Sequence, residues 1–224
     1  MNVLIACEES QRVCKAFLEK GHNAYSCDLE KSGGGLKDRH ILMDALMVIN
    51  GGVVRLENGK KIEIPKWDLI IAHPPCTYLT NSATRHHSLK RTPVNWIDGR
   101  TLSRVQAIDF FMRFVYANCD KIAIENPVGV MSTIYRQPDQ IIHPYQFAES
   151  VDDAENYVTK ATCLWLKGLD ALRTNDLEKP NNKEKYGQSP LGKTYSWAMI
   201  TTNDPRTRSK TFPGIAKAMA EQWG

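Results

Sequence analysis

The chain has no Cys-x-x-Cys pair. Its six cysteines, at positions 7, 14, 27, 76, 119 and 163, are scattered, which argues against a structural zinc site built on paired thiolates. No apolar run approaches the length needed to cross a bilayer, and no basic start leads into a long apolar core as in a secretory leader. Reduced thiols in a cytoplasm, with no membrane partner, are therefore the expectation. Internal repeats and low-complexity blocks are also missing, which removes solenoids and long disordered linkers. Charge of one sign is not in excess: 29 Lys and Arg stand against 25 Asp and Glu, a net charge of +4. Such a balance permits nucleic-acid binding without requiring it.

What is present is an ordinary globular composition, 42% hydrophobic and 24% charged over 224 residues. That length fits one large domain, or one domain with a small addition. Residues 67–79, Trp-Asp-Leu-Ile-Ile-Ala-His-Pro-Pro-Cys-Thr-Tyr-Leu, organise the rest. An apolar run closed by turn formers reads as a buried parallel strand over 69–72. Pro74 and Pro75 cannot continue a sheet ladder, so Cys76 falls just past the carboxyl end of a central strand. Open α/β sheets bind their ligands at such ends. For a cysteine the ordinary alternative is a small core hydrophobe, but the Pro-Pro turn before it and the polar residues after it favour a nucleophile.

Residues 2–6 form a short apolar strand, 10–20 a helix stopped by Gly21, and 22–28 a second strand ending in Asp28. A loop with the run Gly33-Gly34-Gly35 follows, then a third strand at 39–43, Asp44, and a short helix to residue 49. An Asn58-Gly59 turn marks a small hairpin over 51–61. Residues 77–101 are polar and read as a loop. The helix expected over 102–117 carries Val105, Ile108, Met112, Val115 and Tyr116 on one face. A strand over 121–125 is expected to break at Asn126-Pro127. Later strands are expected at 141–148, 161–166 and 194–200, a loop at 175–193, and a closing helix at 215–223. Alternating strands and helices through the first half predict a doubly wound α/β sheet.

Cys76 and Glu125 end two consecutive strands, and a right-handed crossover makes those ends neighbours. A thiolate beside a carboxyl group suits covalent addition to an electron-poor pyrimidine: sulfur attacks carbon 6 while the acid protonates nitrogen 3, so carbon 5 becomes nucleophilic. A helix cap or ion-pair acid is the ordinary reading of Glu125. Asp28 and Asp44 close successive strands, where one can accept ribose hydroxyls and the other an adenine amino group. Taken singly each is more often a cap or a loop acid; as an ordered pair they favour a nucleoside-containing cofactor.

On these residues the chain resembles the cytosine carbon-5 DNA methyltransferases, which use S-adenosyl-L-methionine. Pro74-Pro75-Cys76 is similar to their Pro-Cys nucleophile motif and Glu125-Asn126 to their Glu-Asn motif. Asp28-Leu29 and Asp44-Ala45 resemble their cofactor-holding pairs. The stretches Ala-His-Pro-Pro-Cys-Thr-Tyr-Leu and Ile-Glu-Asn-Pro resemble small phage- or prophage-borne methyltransferase-like proteins. The resemblance implies a Rossmann-like class I methyltransferase sheet with helices on both faces. It implies Cys76 as nucleophile, Glu125 as acid and Asn126 as a positioning group. It also implies cofactor contacts from Cys7, Glu8, Glu9, Pro74 and Thr211. By the same resemblance Thr77, Arg85, Lys90, Arg91, Arg100 and Lys160 face DNA, with the target cytosine flipped out of the stack. A bacterial cytoplasm and a role in self-protection from restriction follow only by resemblance.

Departures from the family are plain. Its glycine-rich first turn is replaced by Cys7-Glu8-Glu9-Ser10, a poor phosphate site but one whose carboxylates can face a cationic sulfonium. The Gln after its cysteine is Thr77, and its Gln-x-Arg-x-Arg motif is absent. The expected division is a core over 1–167, a short recognition region over 168–195, and a closing segment over 196–224 that packs back on the core. Because 168–195 is too short for an independent core, limited selectivity or a helper protein is expected. A free pyrimidine nucleotide or RNA substrate, or a non-catalytic DNA-binding role, are the alternatives. Neutralising Arg85, Lys90 and Arg91 together is expected to weaken DNA binding. Its salt dependence should flatten by about 0.9 log units for each phosphate left without a cation. An unchanged slope would move the phosphate-binding cations elsewhere.

Overall fold

The computed structural model describes residues 1–81, 94–200 and 204–224. Its strands are β1 (Asn2–Ala6), β2 (Asn23–Asp28), β3 (His40–Leu42), β4 (Gly52–Arg55), β5 (Lys61–Ile64), β6 (Leu69–Ala72), β7 (Ile122–Pro127), β8 (Gln140–Ile142) and β9 (Thr162–Lys167). The longer helices are α1 (Arg12–Glu19), α3 (Val94–Val115) and α8 (Pro213–Trp223). Short helices are α2 (Ala45–Val48), α4 (Met131–Ile134), α5 (Asn182–Tyr186), α6 (Trp197–Ile200) and α7 (Pro205–Ser209). Seven strands form one sheet in the order β3-β2-β1-β6-β7-β9-β8, and β4 pairs with β5 apart from it. The first five strands of that order run parallel, while β9 is antiparallel to both β7 and β8. This is the doubly wound Rossmann-like α/β fold that the alternation of elements predicts.

Alternation within the strands produces the two faces. Val3 and Ile5 of β1 join Leu69 and Ile71 of β6 in a core with Val13, Cys14 and Phe17 of α1 and with Ile215 and Met219 of α8. Leu4 and Ala6 join Ile70 and Ala72 in the opposite core, with Val48 of α2 and Phe111 and Phe114 of α3. A strand buried on both sides is apolar throughout, and all four residues of β6 are buried. Gly21, at φ 81°, ends α1 in the left-handed conformation that glycine adopts without a Cβ penalty. Its N–H donates to the Leu18 carbonyl at 2.9 Å.

Several sequence expectations are corrected. Helix α3 begins at Val94, inside the stretch read as a polar loop; extending a helix already nucleated by its apolar part is far easier than starting one. Its buried face is also rotated. Phe111 and Phe114 are fully buried and Ile108, Met112 and Val115 of the expected face pack against the same core, whereas Val105 and Tyr116 are exposed, because the two aromatic rings outweigh the smaller stripe in burial area. Phe111 packs edge-on against Trp165, with ring centroids 5.2 Å apart.

Asn126-Pro127 does not break β7: both residues stay in register with Cys163 and Thr162 of β9. The proline is the strand's last residue, beyond the point where β6 has left the ladder. Pro144 instead cuts the strand expected over 141–148, which ends at Ile142 before a 3-10 turn over Pro144–Phe147. Residues expected as a strand at 194–200 contain helix α6. The loop expected at 175–193 contains α5, capped by the Asn181 side chain, which accepts from the Lys183 N–H. No helix among the described residues is long and apolar enough to cross a membrane.

Phe111→Ala is expected to lower folding stability by about 3–5 kcal/mol, and Val105→Ala to stay within about 0.5 kcal/mol. Denaturant titration of the two variants checks the rotation of α3; equal losses would contradict it.

Candidate active site

The site grows from the point where the sheet changes winding direction. β1 and β6 are neighbours, yet the helix after β1 packs on one face and α3, after β6, on the other. Their carboxyl ends therefore open a crevice. Register then sets the row: Ala6 pairs with Ala72, and Ala72 with Ile124. The next residues along these strands are Cys7, His73 and Glu125, and the His73 N–H still donates to the Ala6 carbonyl at 2.9 Å.

His73 Nδ1 donates to Glu125 Oε2 at 2.8 Å. Burial alone would depress the imidazole, but the Glu125 hydrogen bond and charge, with the Glu8 charge behind them, raise its pKa above 6.5. Burial would raise Glu125, and the same pairing with His73, aided by Lys160, holds it below the usual carboxylate value. Each partner thus favours the charged form of the other. Asn126 is buried and its Nδ2 donates to the Pro74 carbonyl at 2.7 Å, fastening the Pro-Pro turn to β7. That turn leaves Cys76 exposed. Partial desolvation and the charge of Glu125 push its thiol up, while Lys160 and Arg208 pull it down.

Lys160 reaches this row because β9 runs antiparallel to β7, so the residues just before Thr162 arrive beside the carboxyl end of β7. Its Nζ donates to the Arg208 carbonyl at 2.9 Å and lies over the Phe212 ring. Thr77 is exposed. Arg100 sits over the Tyr78 ring, 5.2 Å from its centroid. Arg85, Lys90 and Arg91 lie outside the described residues.

Two cavities adjoin the row. One of about 200 Å³ is lined by Cys7, Asp28, Leu29, Asp44, Ala45, Pro75 and Phe110. A smaller one of about 100 Å³ shares Cys7 and Asp28 and is walled by Glu8, Glu9, His73, Lys210 and Thr211. Pro75 rather than Pro74 lines the larger cavity, and Pro74 is buried. Asp44 also caps α2 by accepting from the Leu46 N–H at 2.9 Å, so its cap reading and its place in a cavity hold together. The Asp28 carboxylate likewise accepts from the Glu30 N–H. The Thr211 carbonyl accepts from Arg12 Nη1 at 3.0 Å, tying the closing segment to α1.

The first turn is held by side chains. Cys7 and Gln11 both adopt φ 59°, a region that non-glycine residues enter at a cost of about 1–3 kcal/mol. Glu8 is buried and accepts from the N–H groups of Val13 at 2.7 Å and Cys14 at 3.2 Å, filling the amino end of α1. Burial raises its pKa against those hydrogen bonds and the His73 charge. Gln11 Nε2 donates to the Leu36 carbonyl and its Oε1 accepts from the Leu36 N–H. The glycine loop thereby lies on the turn: a Cβ at Gly34 would stand 2.6 Å from the Gln11 Cβ and 2.8 Å from the Ser10 carbonyl oxygen.

Sequence reasoning missed His73, Gln11 and Arg208. His73 was detectable, since counting parallel register forward from two adjacent apolar strands sets it opposite Glu125. Gln11 and Arg208 carried no such signal.

No protein-family model matches the chain, and no curated protein matches it. Among solved structures it is similar to a protein described as a DNA modification methyltransferase encoded within a prophage of E. coli, at 13% identity and a TM-score of 0.47. The alignment covers 85% of this chain and 55% of that one, so the chain spans little more than half of the matched structure. At that score the likeness carries no argument about activity.

The Glu8 cap yields a pH test. A carboxyl whose folded pKa is raised contributes stability below its unfolded value of 4.5, and that contribution is lost as pH rises through the folded value. Glu8→Gln is therefore expected to gain stability relative to the native chain as pH climbs above about 4.5. Glu8→Ala, which lacks the same titration, is expected to lose about 1–2 kcal/mol at pH below about 4.5 and less as pH rises. Denaturation curves at several pH values check both; parallel profiles for the Gln variant and the native chain would refute the buried-acid assignment.

Proposed function

We propose that the chain is a DNA (cytosine-5-)-methyltransferase using S-adenosyl-L-methionine and acting through a covalent Cys76 adduct. The observation that carries this reading is that Cys76, exposed after a turn fastened by Asn126, lies close enough to Glu125 for that charge to act on its thiol. A nucleophile and an acid on adjacent strand ends suit addition across a pyrimidine 5,6 double bond. The Cys76 thiol gives its proton to solvent and its sulfur bonds to carbon 6. Glu125 protonates nitrogen 3, and the electron pair of the double bond becomes available at carbon 5. After carbon 5 has been alkylated and has lost its proton to solvent, the Cys76 sulfur departs, the double bond re-forms, and the nitrogen 3 proton returns to Glu125.

The cavities fit the cofactor's chemistry. Apolar walls from Leu29, Ala45, Pro75 and Phe110 suit a purine face, and the carboxylates of Asp28 and Asp44 suit ribose hydroxyls and an exocyclic amine. The smaller cavity, with Glu8, Glu9, Lys210 and Thr211, suits the charged amino-acid end. When bound, the cofactor supplies an electrophilic methyl group. DNA as substrate rests on the cations of residues 77–104 and on Lys160. Residues 168–195 contain only α5 and one isolated bridge, Gln188 with Thr194, among their regular elements, and that spareness favours a free pyrimidine nucleotide or RNA as the second reading.

Covalent trapping tests the proposal. With S-adenosylmethionine and DNA carrying 5-fluorocytosine, the native chain is expected to give a denaturation-resistant adduct mapping to Cys76, and Cys76→Ser none. Adduct formation only with an RNA or a free nucleotide would select the second reading. Failure with every pyrimidine substrate despite cofactor binding would reject the proposed chemistry.

A further inference from the structure

The proposed reaction asks Glu125 to give a proton, yet the resting site holds Glu125 ionised against His73. A carboxylate has no proton to give. The neighbours of His73 supply the answer. Glu125 faces it from β7, Glu8 from the turn after β1, and Lys160 from the segment before β9. Nδ1 is committed to Glu125 at 2.8 Å, while Nε2 is buried without a hydrogen-bond partner among the described residues. Among the described residues, one exit for the imidazole proton is therefore built into the site, and it leads to Glu125.

Resting on the reading above, we propose that His73 is the positioning residue and proton reserve for Glu125. The Nδ1 proton crosses the 2.8 Å hydrogen bond to the Glu125 carboxylate. The carboxyl group turns about its Cγ–Cδ bond and passes the proton to nitrogen 3 of the pyrimidine. His73 is left neutral with its remaining proton on Nε2, and Glu125 is again a carboxylate, now accepting from the nitrogen 3 N–H. When the product leaves, the same proton returns along the same path, so the pair begins and ends with one shared proton.

The transfer has a second effect. Glu125's negative charge is one of the forces holding the Cys76 thiol up. A proton arriving on Glu125 removes that charge, so the step that makes the acid competent also makes the thiolate easier to form. Acid and nucleophile are then readied together. Turnover needs the His73 proton and the Cys76 thiolate together, so the pH–rate profile is bell-shaped and one of its limbs follows the His73 titration.

The test uses the full chain. Imidazole NMR titration of the native protein and of Glu125→Gln needs no substrate; His73 is expected to titrate above 6.5 in the first and lower in the second. His73 titrating identically in both would overturn the pairing. His73→Asn keeps an N–H donor near the Nδ1 position but has no proton to lend. At saturating cofactor it is expected to form the 5-fluorocytosine adduct about 100-fold more slowly at neutral pH, and the limb of the profile that follows the His73 titration is expected to be lost. A native adduct rate with an unmoved profile would overturn the reserve. Absence of any adduct from the native chain would instead overturn the underlying reaction, while the titration still decides the pairing.

Discussion

The parallel pairing of β6 with β7 is the constraint on which the site depends. Its register, Ala72 with Ile124, determines that His73 meets Glu125 and that Asn126 meets the turn that follows. A Pro-Pro step has no N–H to offer a ladder, so the chain loses its backbone guide where Cys76 must be positioned. Asn126 replaces that guide with a side-chain hydrogen bond to the Pro74 carbonyl. Farther along, Gly129 lies so close to the Leu79 carbonyl that a Cβ there would overlap it, and Val130 donates to the same carbonyl. The turns leaving β6 and β7 are therefore stitched to each other on both sides of the cysteine.

On the other side of the crevice, the turn after β1 is held without glycine. Glu8 turns inward and uses its carboxylate to satisfy the helix N–H groups that would otherwise face a ligand. An anionic group of a ligand has no place there, because the protein's own acid already occupies the end of α1. The same acid stands behind His73. One residue thus links the entry of α1, the smaller cavity and the ion pair, and the left-handed Cys7 before it is the local strain that this arrangement carries.

Most of the parallel half of the fold was legible because its strands are short, uniformly apolar and closed by unmistakable turn formers; β1, β2 and β6 lie within a residue or two of their expected bounds. The antiparallel half was harder. Pro127 reads as a terminator in sequence, and only the partner β9 keeps it in register. Residues 194–200 alternate like a strand but form a helical turn whose Trp197 packs on Phe212. Such contacts join residues far apart in the chain, and local pattern does not contain them. In the candidate site, the placement of Cys76, Glu125, Asp28 and Asp44 at or just past strand ends was legible because a strand end is itself a local signal. Glu8's cap, Gln11's grip on Leu36 and the route that brings Lys160 to the crevice all depend on which strands become neighbours.

The two strands that border the main sheet, β3 and β8, are each three residues long. A hairpin residue, Leu56, bridges to Ile41 of β3, so even that short border is partly occupied. Exposed sheet borders are where chains recruit one another by adding strands, and length and flatness set the hazard. Little unsatisfied backbone is offered here. A chain with this sheet is protected from edge-to-edge aggregation by brevity instead of by charge, and whatever associates with it is directed to the helical faces or to the open crevice at the strand ends.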